Sequence, residues 1–127
     1  MTKNILLCDS DQPMREVMKT CLTWYGYHVT PRADSAGIEM ELLNSSYDLF
    51  ICDYWARPMN GNKVCTMIRS SGEPKVRDTK ILLAAQGTLE CGDYKFFRQH
   101  HIYVMPKLKS PEKWIEKINL IIGSRHP

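Results

Sequence analysis

Apolar residues along this chain fall into two kinds of pattern that alternate. Compact runs stand at 4–8, 48–52, 81–85 and 102–105, with a more polar one at 27–30. Their length and near continuity are those of strands buried on both faces. Between them, apolar residues recur every three or four positions, the spacing of one helical face. Such stripes are Met14, Val17, Met18, Cys21 and Leu22; then Ile38, Met40, Leu42 and Leu43; then Val64, Met67 and Ile68; and last Trp114, Ile115, Ile118, Ile121 and Ile122. A less regular stretch, interrupted by Gly92, predicts a helix over 89–100.

The punctuation agrees. Pro13 suits a first helical turn and Gly26 a helix end; Asp34-Ser35 predicts a cap; Ser110-Pro111-Glu112 opens the last helix and Gly123 closes it. Strands that alternate with helices predict an α/β domain with a parallel sheet, because parallel neighbours need a crossover and a helix is the usual one. No repeat, linker or low-complexity tract divides the chain, so a single domain over 1–127 is expected, with its core at about 4–122.

Charge and cysteine content narrow the class. Seventeen Lys and Arg stand against fourteen Asp and Glu, dispersed rather than clustered, which argues against a nucleic-acid or membrane surface. The five cysteines, at 8, 21, 52, 65 and 91, form no Cys-x-x-Cys pair, and their odd count does not suit a closed disulfide framework. With no signal-peptide pattern and no run long enough to span a bilayer, a cytoplasmic location is expected.

Two of the buried runs stop at a carboxylate. Asn4-Ile-Leu-Leu-Cys8 is followed by Asp9-Ser10-Asp11, and Asp48-Leu-Phe-Ile-Cys52 by Asp53. Ligands of open parallel sheets bind beyond the carboxyl ends of the strands, where strand order reverses. In a flavodoxin-like order 2-1-3-4-5 the first and third strands are neighbours, and Asp9 and Asp53 converge. Converging carboxylates need a cation, and hard oxygen ligands suit Mg²⁺, Ca²⁺ or Mn²⁺. Asp11, beside Gln12-Pro13, reads as a helix cap, and Asp34 and Asp48 as local turn formers.

These landmarks resemble the receiver domain of two-component response regulators, over nearly the whole chain from Asn4 to Ile122. Ile5-Leu6-Leu7-Cys8-Asp9-Ser10-Asp11-Gln12-Pro13-Met14-Arg15 is similar to the family's opening strand and acidic pocket. The stretch from Asp48 through Asp53-Tyr54-Trp55-Ala56-Arg57-Pro58-Met59-Asn60-Gly61 is similar to its acceptor strand and loop, with the loop proline one residue late. The resemblance implies a doubly wound (βα)₅ fold and phosphorelay signalling rather than an enzyme. It makes Asp53 the phosphoryl acceptor, and Asp9, Asp53 and the main-chain carbonyl of Trp55 ligands to Mg²⁺. A histidine kinase or phosphotransfer protein would be the partner, and a homodimer would use the face of the fourth and fifth strands.

Other pocket positions depart from the family. Its second acid falls on Ser10, its hydroxyl residue on Ala84, its lysine on Met105 and its switch aromatic on Ile102. Metal should therefore be held weakly. Removing one preorganised donor from such a site costs roughly 10²- to 10³-fold in rate, so phosphorylation should be slow. Asp11, Lys107 or Lys109, and Tyr103 are conceivable substitutes. However, strand alternation turns Tyr103 to the other face, and Pro106 is expected to hold Lys107 away from the strand end.

Two alternatives stand beside this reading. One is a pseudo-receiver that binds a constitutive protein partner without phosphorylation. The other is a haloacid-dehalogenase-like phosphatase using Asp9 and Asp11, which would need a later acidic pair where Gly92-Asp93 is followed by Phe97. His100-His101 reads as a solvated turn, Cys8 and Cys52 as inert core thiols, and Tyr54-Trp55 as aromatics at the mouth of the pocket.

Overall fold

The computed structural model describes residues 2–85, 89, 91–107 and 110–123. Its elements run β1 (Asn4–Cys8), α1 (Gln12–Trp24), β2 (His28–Arg32), α2 (Ile38–Asn44), β3 (Leu49–Asp53), α3 (Gly61–Arg69), α4 (Pro74–Arg77), β4 (Ile81–Ala85), α5 (Cys91–Gln99), β5 (Ile102–Pro106) and α6 (Pro111–Ile122). The five strands form one sheet in the order β2-β1-β3-β4-β5, every neighbouring pair parallel, as the sequence predicts.

Alternation along each strand divides the core in two. Ile5, Leu7, Leu49, Ile51, Leu82, Ala84 and Met105 face α1 and α6, where Met18, Leu22, Trp114, Ile115 and Ile118 meet them. Leu6, Cys8, Phe50, Cys52, Ile81, Leu83 and Ile102 face the opposite way, onto Ile38, Val64, Ile68, Val76 and Phe97. The central strand β3 is buried at all five positions, which explains its unbroken apolar run.

Several expectations change. The second strand starts one residue later and runs on to Arg32. It takes in Pro31, which an edge strand accommodates because one of its sides needs no ladder hydrogen bond. Asp34-Ser35 does not cap α2, whose N-cap is Gly37 in the left-handed conformation at φ 73°. Asp34 instead accepts from Ala36 N–H, and Ser35 is fully buried against the loop that follows β3. The short α4 is absent from the expectations, since it offers a single buried apolar residue, Val76. Asp11 does cap α1, accepting from Met14 N–H at 3.3 Å.

The candidate phosphoacceptor pocket

The pocket forms because β1 and β3 are neighbours in register. Cys8 and Cys52 are paired, so the residues that follow them, Asp9 and Asp53, emerge side by side at the carboxyl end of the sheet. Both share the strand face of Leu7 and Ile51, and both are buried, with 4% and 3% of their surfaces exposed. Across the sheet, Asp53 pairs with Ala84 of β4 and Ala84 with Met105 of β5.

Lys107 completes the group. Its N–H donates to the Ala85 carbonyl at 2.8 Å, which carries the β4–β5 ladder one step past Pro106. Its Nζ lies 3.1 Å from Asp9 Oδ1 and 3.1 Å from Asp53 Oδ2. The expectation that Pro106 would hold Lys107 away is overturned. Lys107 stands two residues beyond Met105, and a period of two returns its side chain to the face that Asp9 and Asp53 share. That parity was the signal available in the sequence. Counting from the proline concealed it.

Main-chain donors hold the two acids in place. Asp9 Oδ1 also accepts from Asp11 N–H at 2.9 Å, and Asp53 Oδ1 from Trp55 N–H at 3.2 Å. Arg15 donates to the Asp9 carbonyl at 2.7 Å, bringing a second positive group to the same residue. Burial raises the Asp9 carboxyl above its ordinary value, and Asp53's negative charge pushes the same way, against the opposing pull of the Asp11 N–H and Lys107. Burial alone would lower the Lys107 ammonium, but its hydrogen bonds to Asp53 and Asp9 outweigh that effect and raise it.

The loop that follows β3 is pinned from below. Buried Ser35 donates to the Met59 carbonyl at 2.8 Å and accepts from Met59 N–H at 2.9 Å, while its own N–H bonds the Arg57 carbonyl at 2.7 Å. Gly61 N–H reaches the Tyr54 carbonyl at 2.7 Å, and a Cβ on Gly61 would stand 2.9 Å from Tyr54 Cα, which is why glycine occupies that position. The loop also contains a cis peptide at Arg57–Pro58. Tyr54 packs edge-on against Trp55 and Phe97, with ring centroids 4.8 Å and 6.5 Å away, and Trp55 stays largely exposed at the mouth.

Ser10 is exposed, and Asp11 is an exposed cap whose side chain accepts from Met14 N–H while its own N–H donates to Asp9 Oδ1. Ala84, Met105 and Ile102 are core residues. Tyr103 faces outward beneath Lys117, whose Nζ is 5.9 Å from the ring centroid, as its register predicts. Lys109 lies outside the described residues. His100 and His101 form a turn whose carbonyls accept from Arg69. Cys8 and Cys52 are buried in the core, and burial pushes the nearby Cys65 thiol up to about 12.

Among the described residues no three acids, histidines or cysteines gather as a metal-binding group. The place between the two carboxylates that a divalent ion would take holds the Lys107 ammonium, and Ser10 adds no charge. These residues do not fit a divalent ion alongside the lysine. A cleft of about 800 Å³ at the opposite end of the sheet is lined by Lys3, Lys75 and Lys80 together with Asp48 and Asp78. Its Asp48 accepts from Asn4 N–H and its Lys80 is bonded to the Ile121 carbonyl.

Comparison with solved structures settles the architecture. The chain superimposes on the chemotaxis protein CheY4 of Vibrio cholerae with a TM-score of 0.83 at 17% identity, covering 95% of this chain and 99% of that one. The fold is that of a response-regulator receiver domain. A CheY-like receiver domain protein of Methanospirillum hungatei shares the receiver fold at a TM-score of 0.79 and 21% identity, over 94% of this chain and 93% of that one. The non-phosphorylated HemR receiver domain of Leptospira biflexa does so at 0.83 and 18%, over 99% and 98%. No family model and no curated relative matches the sequence, so within the receiver fold it is the pocket residues, not overall identity, that speak to function. No helix among the described residues is long and apolar enough to cross a membrane.

Proposed function

We propose that this domain works as a receiver-type signalling module in which Asp53 is the phosphoryl acceptor and Lys107 supplies the positive charge that the family takes from the position of Met105. The observation that carries the reading is the Lys107 bridge, with one ammonium 3.1 Å from both acids at the end of a receiver-fold sheet. In the reaction an Asp53 oxygen attacks phosphorus, and the bond from phosphorus to the donor's nitrogen or oxygen breaks. The electron pair leaves with the donor, giving an acyl phosphate on Asp53. Lys107 lies where the added negative charge develops, and a paired ammonium is the group suited to hold it. The acceptor is consumed once per transfer and must be regenerated, as in a signalling domain rather than an enzyme. A histidine kinase or phosphotransfer protein is the corresponding donor.

Transfer is slow. Asp53 pairs in register with Ala84, which presents a methyl where the family has a hydroxyl. Intact mass after incubation with acetyl phosphate, beside Asp53→Asn, tests the reading. A phosphate adduct on the wild type, with or without added Mg²⁺, that is missing from the variant supports it, and no adduct after long incubation under either condition overturns it. That second outcome would favour a phosphorylation-independent interaction module, to which the buried Ala84 and Met105 already lean.

A further inference from the structure

We infer that the Lys107 ammonium is the resident cation of the pocket: it replaces a divalent ion, and the two acids are held together without metal. The inference rests on the receiver-type reading for what the position would otherwise bind, and on geometry for the rest.

Three observations carry it. First, the ammonium bridges the acids instead of pairing with one, at 3.1 Å to Asp9 Oδ1 and 3.1 Å to Asp53 Oδ2, and the three side chains are 9%, 6% and 4% exposed. A hydrated surface lysine has no reason to adopt that position, whereas an ammonium between two desolvated carboxylates does. Second, three of the four carboxylate oxygens already accept protein hydrogen bonds: Asp9 Oδ1 from Lys107 and Asp11 N–H, Asp53 Oδ1 from Trp55 N–H, and Asp53 Oδ2 from Lys107. A small divalent ion demands near-ideal oxygen geometry and would have to break several of these bonds. Third, the charge is already largely balanced. Lys107 sits between the acids and Arg15 on the Asp9 carbonyl, so an incoming dication meets two cations rather than an open anionic cage.

The substitution also suits the sequence. Ser10 in place of a second acid removes one negative charge, and a single ammonium serves two carboxylates where it would serve three poorly.

The test measures Mn²⁺ binding by the full, unphosphorylated chain through the free-ion electron paramagnetic resonance signal. Wild type, Lys107→Gln and Lys107→Gln/Asp53→Asn are compared. Lys107→Gln should bind Mn²⁺ at least roughly tenfold more tightly than wild type, since a unit charge about 4 Å away acts at several times RT even at an effective dielectric constant of about 20. The double variant should lose that gain. Equal binding by wild type and Lys107→Gln overturns the inference.

A second measurement needs no variant. The Lys107 side-chain ¹⁵Nζ resonance of the wild type should be protected from exchange and unmoved by Mg²⁺. A resonance that shifts or vanishes as Mg²⁺ is added overturns the inference just as surely. Failure here is distinguishable from failure of the proposed function. A phosphate adduct that forms only with Mg²⁺ would sink the resident-cation inference and leave the acceptor reading intact. Tightened Mn²⁺ binding in Lys107→Gln without any adduct on wild type would do the reverse.

Discussion

Replacing Lys107 by methionine, a side chain of similar length, would leave Asp9 and Asp53 facing each other with no cation between them. Removing one partner of a buried ion pair costs about 3–5 kcal/mol, because the remaining charge is stranded away from water. Here one cation serves two acids, which pushes the loss up, but the trio lies at the end of the sheet rather than in its middle, which pushes it down. About 3 kcal/mol at neutral pH is therefore expected.

The sign of the pH dependence follows from Asp9. Burial raises its carboxyl even with Lys107 present, and without the lysine's opposing pull it rises further. A carboxyl whose folded-state pKa is raised favours folding at low pH and loses that contribution as pH climbs through the raised value. Acidification from about pH 7 to about pH 5 should thus return part of the lost stability to Lys107→Met, at roughly 1.4 kcal/mol for each unit that its pKa rises. Urea unfolding of both proteins at the two pH values, followed by circular dichroism, measures it. A loss below about 1 kcal/mol at neutral pH, the level of an exposed pair, would refute the reasoning. A gap that widened on acidification would do the same.

Four further outcomes are expected. On the alkaline side, Lys107's contribution is present in full below its ordinary value of 10.5 and fades as pH rises through its raised folded value, so the urea midpoint of wild type should fall more steeply than that of Lys107→Met above about pH 10. Ser35→Ala strands the Met59 N–H and carbonyl in the loop after β3; a loss of about 1–3 kcal/mol and faster hydrogen exchange at the Met59 amide should follow. Gly61→Ala drives a Cβ to 2.9 Å from Tyr54 Cα and 2.7 Å from Leu83 Cδ1, which should cost about 1–3 kcal/mol and shift the Tyr54 ring signals in NMR spectra. Arg69→Lys breaks a guanidinium fan that holds the carbonyls of Arg77, Thr79, His100 and His101, and about 2 kcal/mol should be lost in chemical denaturation because an ammonium cannot span those four acceptors.

The legibility of this chain depended on which physical rule each element obeyed. Strands buried on both faces announce themselves as unbroken apolar runs, so β1, β3 and β4 were found almost to the residue, and the carboxylates that end β1 and β3 marked the pocket. The edge strand β2 follows no such rule. Only one of its residues, Val29, is buried, so its limits could not be read from hydrophobicity. Ser35 failed for another reason: a serine before a helical stripe looks like a cap, and only the tertiary fold shows that its partner is Met59, 24 residues away. Helix α4 is too short to show a period at all.

Lys107 marks the limit of reading a site by alignment to landmarks. The lysine is displaced from Met105 by two residues, a large error in a motif but no error on a strand, where the side chain comes back to the same face. Leu7, Ile51 and Met105 lie on one face of the core, and the next residues of that parity are Asp9, Asp53 and Lys107, which is why the three meet. The same rule shows what cannot be recovered on β4. Ala84 already occupies that parity, and Ala85 belongs to the opposite one, so no described residue of this strand can bring a hydroxyl to Asp53. A displaced cation was replaceable because the strand end continues for two residues in register. A missing hydroxyl was not, because the strand provides only a methyl beside Asp53. The pocket is therefore left with charge and without a neutral donor from β4, an imbalance that predicts slow transfer and tight pairing of its acids at rest.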